Sequence, residues 1–371
     1  MIKNNTLTTL LSQIHMKFLT IKKIFFVITI LPLILSHYVL PRSIFRPVEP
    51  SIATIHIKYP QDLHYATLHE SHLTCGLFFL YDEKFFMNHL FPKNTPISYR
   101  YEPQKTVSSA VLSELIEEFV REIQAGRRFF THFITLKQDD FARKYRTGLI
   151  IARFRNYPFI VKLSIETPES FIDYRAKGGN SIFLFNLGGG VNRHLSGLTR
   201  IKNLKYSQKI IAQNQFWKDK VGFPKKWHWL PKQPTWLEIK SENIGTKDYC
   251  VKIPAIYAII AEEIEADRTF SLLDAEDRHF ALEFSCYLNG ALDSHFRNYF
   301  IEKNTRKVII IDTEHFPTIV GLREPPPTRG YFSWYSHLAN KMLADTFSRN
   351  KQKRREMQSY GQSPLSLPEK I

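Results

Sequence analysis

Three side chains late in the sequence are of the types that hold a hard cation and move a proton. Asp293 and Asn298 stand five positions apart in Leu292-Asp293-Ser294-His295-Phe296-Arg297-Asn298. Asp312 follows fourteen positions after Asn298, behind the apolar run Val308-Ile309-Ile310-Ile311. An amide oxygen and a carboxylate are donors that magnesium accepts while it keeps its phosphate partners. A second carboxylate nearby can take the proton of an attacking hydroxyl. That is the equipment of phosphoryl transfer, a chemistry that is mostly positioning and charge neutralisation. Each fragment alone is common: Asp-x-x-x-x-Asn arises by chance, and an aspartate often ends an apolar strand. The combined spacing is more specific.

The elements that must position these residues can be read around them. Tyr299-Phe300-Ile301 and Val308 to Ile311 are short β-branched and aromatic runs on either side of the charged tip Glu302-Lys303-Asn304-Thr305-Arg306-Lys307. This predicts a hairpin. A hairpin brings its ends together, so Asn298 at the entry and Asp312 at the exit should be neighbours, with Asp293 above them in a loop. A helix is expected just before, over Asp274 to Leu288.

Helix, acid-bearing loop, Asp-x-x-x-x-Asn, hairpin and then Asp resembles the catalytic and metal loops of the protein-kinase-like fold. The resemblance implies Asp293 as catalytic base and Asn298 and Asp312 as metal ligands, with ATP and magnesium as cofactors. The chain departs from the family where Ala291-Leu292 stands before Asp293 in place of His-Arg. It departs again where Thr313-Glu314 follows Asp312 in place of Phe-Gly. An acid two positions after the metal aspartate is more similar to small-molecule and other atypical kinases. The missing arginine argues against control by a phosphorylated activation loop.

The same fold implies a β-rich small lobe. Thr147 to Phe154 and Pro158 to Leu163, joined by Arg155-Asn156-Tyr157, predict a hairpin. Lys162, within Ile-Val-Lys-Leu, resembles the family's phosphate-contacting lysine; the alternative is a solvent-facing strand lysine. Its acid partner is open between Glu166 and Glu169. Only Gly148 represents a phosphate loop. Leu187-Gly188-Gly189-Gly190-Val191-Asn192-Arg193 reads as a flexible loop that could approach phosphate, and Arg193, His194, Arg200, Lys202 and Lys205 as a basic lid or substrate contact. The tryptophan-rich stretch Trp217 to Trp236 reads as local packing in an insertion between lobes. Trp236 to Lys240 reads as a strand at the crossing to the large lobe. Ile253 to Glu265 is expected to be helical, with Ile256, Ile259, Ile260 and Ile264 on one side. Val107 to Gln124 is expected as a helix facing inward through Val107, Val111, Leu115, Phe119 and Ile123 and stopping at Gly126. Tyr331 to Arg349 is expected as a last helix.

The 371 residues carry a net charge of +16, with 51 Lys+Arg against 35 Asp+Glu. That favours anionic partners such as nucleotide, phosphorylated substrate or acidic membrane. No zinc-finger spacing or RNA-recognition motif is present. Hydrophobic residues make up 43% and exclude a disordered chain. Cys75, Cys250 and Cys286 have no metal spacing and read as small hydrophobes. Residues 24–40 form an uncharged apolar stretch behind Lys22-Lys23, expected to be a signal or membrane anchor. Lysines ahead of it favour export of the remainder, while Arg42 and Arg46 leave the orientation open.

The expected organisation is therefore an α+β, bilobal kinase-like protein. It has a signal or anchor over 1–40, an extension over 41–140 that begins with a proline-rich entry, a small lobe over 141–240, a mainly helical large lobe over 241–348 and a basic tail over 349–371. The expected activity is ATP- and magnesium-dependent phosphate transfer to a protein or small molecule. The alternatives are an inactive pseudokinase serving as an anchored or exported interaction module, or an unrelated α+β membrane-tethered protein.

Overall fold

A computed structural model describes residues 51–59, 62–70, 81–138, 141–167, 189–244, 247–288, 291–292 and 295–314. The apolar stretch 24–40, Asp293, Glu169, the helix expected at Tyr331–Arg349 and the basic tail lie outside these residues. The described residues all belong to one compact unit, Pro50–Ile371.

In chain order, β1 (Ser51–Tyr59) and β2 (Asp62–Glu70) form a hairpin, followed by α1 (Glu83–Asn88). Next are β3 (Pro96–Ser98), β4 (Thr106–Ser108), α2 (Ser109–Gln124), β5 (Phe133–Lys137), β6 (Phe141–Ala142), β7 (Thr147–Phe154) and β8 (Phe159–Ile165). Then α3 (Gly189–Ile211), α4 (Gln215–Lys220), β9 (Val221–Gly222), β10 (Lys226–Trp229), β11 (Trp236–Ile244), β12 (Lys247–Pro254), β13 (Ile256–Glu262) and β14 (Ala266–Thr269) follow. The last elements are α5 (Ala275–Tyr287), a 3-10 turn at Phe296–Asn298, β15 (Tyr299–Glu302) and β16 (Val308–Ile310).

The main sheet has the order β10-β13-β8-β7-β5, with β6 added beside β7, and every pairing in it is antiparallel. The hairpin expected over residues 147–163 is β7–β8. Alternation divides the sheet's residues between two faces. Val161, Leu163 and Ile165 on β8, Ala258 and Ile260 on β13, and Trp227 and Trp229 on β10 pack with α2 through Leu112, Ile116, Phe119, Val120 and Ile123. The opposite face carries Lys162, Ser164, Lys226, His228, Tyr257 and Ile259, and α3 covers it. Tyr257 Oη donates to the His194 carbonyl of α3 at 2.8 Å. A greasy face against a helix is ordinary core; a polar face buried under a second helix demands partners for each group.

Helix α2 ends at Gln124 as expected but begins at Ser109, two residues later than expected, because Val107 belongs to strand β4. Ser108 caps it by accepting from the Ala110 N–H at 3.2 Å, and Gly126 follows its end with φ +76°. Its inward face differs from the expectation. A strict four-residue repeat drifts about 40° per step around a helix of 3.6 residues per turn. Val111 therefore emerges 38% exposed, while Leu112, Ile116 and Val120 turn inward.

Two further expectations fail. Residues 256–262 are strand β13, not helix. The run Ile-Tyr-Ala-Ile-Ile-Ala-Glu is β-branched and buried on both faces, so periodicity alone does not separate helix from strand. Residues 51–59, within the expected proline-rich entry, pair with β11 in a second antiparallel sheet of order β12-β11-β1-β2. Consequently the described residues after 241 are not mainly helical: β12, β13, β14, β15 and β16 accompany the single helix α5. The architecture is α+β, with several sheets and few helices.

The expected helix at 274–288 is α5, whose N-cap Asp274 accepts from the Glu276 and Asp277 N–H groups at 2.8 and 3.1 Å. It packs Phe280 and Phe284 on Trp217 and Tyr299, beside a sheet of order β14-β15-β16-β9. Tryptophans 217, 227 and 229 pack as hydrophobic side chains, but against residues distant in sequence rather than locally: Trp217 meets Phe280 and Phe284, and Trp229 Nε1 donates to Ser113 Oγ at 2.8 Å.

Candidate functional site

The β15–β16 hairpin delivers Asn298 and Asp312 to its open end. Tyr299 pairs with Ile310, and one step further the Ile311 N–H donates to the Asn298 carbonyl at 3.0 Å. Asp312 is the residue after that bond. The hairpin therefore sets Asn298 and Asp312 side by side along the backbone, as its sequence requires.

Asp312 points at the polar face of the main sheet. Lys162, in the middle of β8, donates to Asp312 Oδ2 at 2.9 Å, across 150 positions of sequence. Arg200 of α3 donates through Nε to Asp312 Oδ1 at 3.0 Å and through a terminal nitrogen to Glu314. Lys226 of β10 donates to the Ile311 carbonyl at 2.8 Å and to Thr313 Oγ1 at 2.9 Å. Thr313 Oγ1 donates to the Arg200 carbonyl at 2.9 Å, and Asn203 Nδ2 donates to the carbonyls of Ala291 and Thr313 at 3.1 and 3.0 Å. Residues 311–314 are thus strapped between two strands and a helix.

Three cationic side chains, Lys162, Arg200 and Lys226, meet two acidic ones, Asp312 and Glu314. Burial raises the Asp312 carboxyl, but Arg200, Lys162 and Lys226 outweigh it and hold the group well below the usual carboxylate range. Burial lowers the Lys162 ammonium, and the attraction of Asp312 offsets part of that. Lys226 is pushed well below the ordinary lysine value by burial and by Lys162. Burial disfavours the Lys226 ammonium, so the positive charge that suits a phosphate-bearing ligand rests on Lys162 and Arg200.

Glu166 is not the partner of Lys162. The two lie four residues apart on an extended strand, a separation of about 13 Å at 3.3 Å per residue. Glu166 follows the strand's end and donates its N–H to the Ala255 carbonyl at 2.9 Å. The basic lid expected from residues 193–205 is absent for two of its members. Gly189–Ile211 is helical backbone, including Gly189 and Gly190. His194 is buried, its Nε2 lies 2.6 Å from the Pro254 carbonyl, and burial lowers its imidazole to about 4. Arg200 is an interior member of the Asp312 cluster. Lys202 lies 3.6 Å from Asp82 at the surface.

Sequence reasoning did not name Lys226, Glu314 or Asn203 as site residues. A signal for Lys226 exists: in Lys226-Trp227-His228-Trp229 the tryptophans face α2, so alternation sends Lys226 and His228 to the other face. His228 is fully buried, and burial lowers its imidazole to about 3.

Gly197 lets α3 approach the sheet. A Cβ there would fall well inside contact distance of Tyr257 Oη. Gly197→Ala gains about 1 kcal/mol of helix propensity but overpacks the contact and breaks the buried Tyr257–His194 bond. We expect a net loss of roughly 1–3 kcal/mol in urea unfolding. An unchanged or stabilised variant would mean that Tyr257 does not seat against this glycine.

Among the described residues no group of three or more His, Cys, Asp or Glu side chains converges to hold a metal, and no helix is long and apolar enough to cross a membrane. Comparison of the chain with protein-family models, with curated proteins and with solved structures finds no match in any of the three.

Proposed function

We infer that this chain is a divergent, bilobal kinase-like phosphotransferase using ATP and magnesium, with its centre at Asp312. The observation that carries this is the convergence of Lys162 and Asp312 at 2.9 Å, with the Asn298 backbone one bond away. Two residues selected by type and spacing, Lys162 and Asp312, meet through their side chains, and the backbone of the third, Asn298, is adjacent. The small lobe would be the main sheet with α3 on its polar face; the large lobe would begin after β13 and include α5 and the β15–β16 hairpin.

The donors suit the cofactors with one condition. Asp312 would hold magnesium through a carboxylate oxygen, with Asn298 as the second proposed oxygen ligand, and Lys162 would offer an ammonium to the nucleotide's α- and β-phosphates. Both oxygens of Asp312 are engaged by cations, so a metal ligand role requires one to yield. Arg200 can release Oδ1 because Glu314 still pairs with it. When bound, magnesium would neutralise phosphate charge. Lys162 and Arg200 would orient the phosphates, and burial would keep water from them. Asp293 is the proposed proton acceptor.

The same engagement favours a second reading, the inactive pseudokinase module. Arg200, a basic residue of α3, holds one oxygen of Asp312 while Lys162 holds the other. The kinase pattern has an acid on that helix, paired with the lysine. The two readings part in one experiment on the full chain: thermal unfolding with and without magnesium-ATP, beside transfer of labelled γ-phosphate, for wild type and Asp312→Asn. Ligand at about a hundred times its dissociation constant adds roughly 2.7 kcal/mol to the folded state. A magnesium-dependent shift lost in Asp312→Asn, with transfer, supports the enzyme. A shift without transfer supports the inactive module. No shift in either protein would sink the nucleotide-binding site.

A further inference from the structure

A second basic site lies on the opposite side of the main sheet, at the end of α2. A cavity of about 350 Å³ opens between residues 126–130 and the β6–β7 turn. Arg127, Arg128, Arg143, Lys144 and Arg146 line it, over a floor that includes Phe130 and Phe141, and no acidic side chain is among the described lining residues. Like charges repel, so five converging cations are costly unless something answers them. Two are answered internally. Arg127 donates to the buried Glu122 at 2.9 Å, and Arg146 donates to the Gln124 carbonyl at the α2 C-terminus. No described acid pairs with Arg128, Arg143 or Lys144. Across residues 121–146 the sequence holds seven Lys+Arg against three Asp+Glu (Glu122, Asp139 and Asp140), a net +4.

Apolar side chains stand beside the same cations. Phe129, between Arg128 and Phe130, is 89% exposed, and Tyr145, between Lys144 and Arg146, is 42% exposed. An exposed phenylalanine next to paired arginines has no use in water, but it suits a surface with charge outside and hydrocarbon beneath. A cavity of this volume accepts a phosphorylated ring, and arginine forks match phosphate oxygens.

We propose that this pocket binds the multiply phosphorylated headgroup of an anionic membrane lipid, with Phe129 and Tyr145 entering the interface around it. The site is independent of the Asp312 cluster.

The test uses the full chain. Because residues 24–40 can bind any bilayer, the readout is the difference between vesicles of phosphatidylcholine alone and vesicles also containing phosphatidylinositol bisphosphate. Soluble inositol trisphosphate is titrated in parallel. Wild type should prefer the bisphosphate vesicles. Arg128→Glu/Arg143→Glu/Lys144→Glu should lose that preference, by about a hundredfold at roughly fivefold per residue. Phe129→Ser/Tyr145→Ser should weaken vesicle binding while leaving trisphosphate binding unchanged. The affected side chains are exposed, and the single Arg128→Gln, with a partial loss, guards against misfolding of the triple variant. Equal binding to both vesicles by wild type, or a preference that survives charge reversal, overturns the proposal. Trisphosphate binding without vesicle preference overturns the lipid and leaves a soluble phosphate ligand.

Discussion

Asp312→Ala is expected to cost the fold roughly 3–5 kcal/mol, the effect of removing one partner from a buried ion pair. Asp312 answers Lys162 through one oxygen and Arg200 through the other, and these side chains are 14% and 8% exposed. Its removal leaves Arg200 with Glu314 but takes from Lys162 the acid that its ammonium reaches. Chemical denaturation of the full chain measures the loss. Adding Lys162→Met should recover part of it, because the orphaned charge goes with the lysine; a double-mutant cycle gives the coupling. A loss under about 1 kcal/mol would mean that the cluster is wet and weakly coupled. The pH dependence has a definite sign. The Asp312 carboxyl is depressed in the folded state, so its contribution is fully present above the unfolded carboxylate value of about 3.9. It is lost as pH falls through the lower folded value. The gap between wild type and variant should therefore be flat near neutrality and close only in strong acid.

Arg100→Ala should produce a loss of similar size, roughly 3–5 kcal/mol, at a place the spacing of motifs did not mark. Arg100 Nε donates to Glu302 at 2.6 Å, and Nη1 donates to Glu262 at 2.9 Å and to the Phe223 carbonyl at 3.2 Å. Both glutamate side chains are 2% exposed. One guanidinium thus ties the end of β13 to the end of β15, and so the main sheet to the hairpin that carries Asp312. Tyr101 Oη, at 2.7 Å, and the Thr305 hydroxyl complete the shell of Glu302. Burial raises the Glu302 carboxyl, and Arg100 leads the groups that bring it below its ordinary value. Without Arg100, burial pushes it upward, so the variant should regain stability as pH falls toward the unfolded value of about 4.3. Arg100→Lys should rescue only in part, because an ammonium lacks the planar fork that reaches both acids. A pH-independent loss would contradict this account of the clamp.

Several elements were legible in the sequence because their information is local. The runs 147–154 and 159–165 announce a hairpin by composition and a polar tip. Asp274 caps a helix where expected, and the hairpin after Asn298 follows from two short β-branched runs. The adjacency of Asn298 and Asp312 is a property of that hairpin alone, and so spacing could anticipate it. Residues 256–262 were misread as helix because a run buried on both sides has no polar face to set its period. The strand at 51–59 escaped because its pairing partner, β11, lies some 180 positions later.

The sequence by itself determined these local elements and the residue types at the hairpin's mouth. Only the tertiary structure decided what surrounds Asp312. Lys162, Arg200 and Lys226 come from a strand, a helix and another strand, and meet because the sheet's alternation and the packing of α3 turn one face of each inward. No sequence distance encodes that meeting. The buried charges there, and the Arg100 clamp that joins the two sheets, owe their energies to desolvation, which exists only once the chain has closed around them.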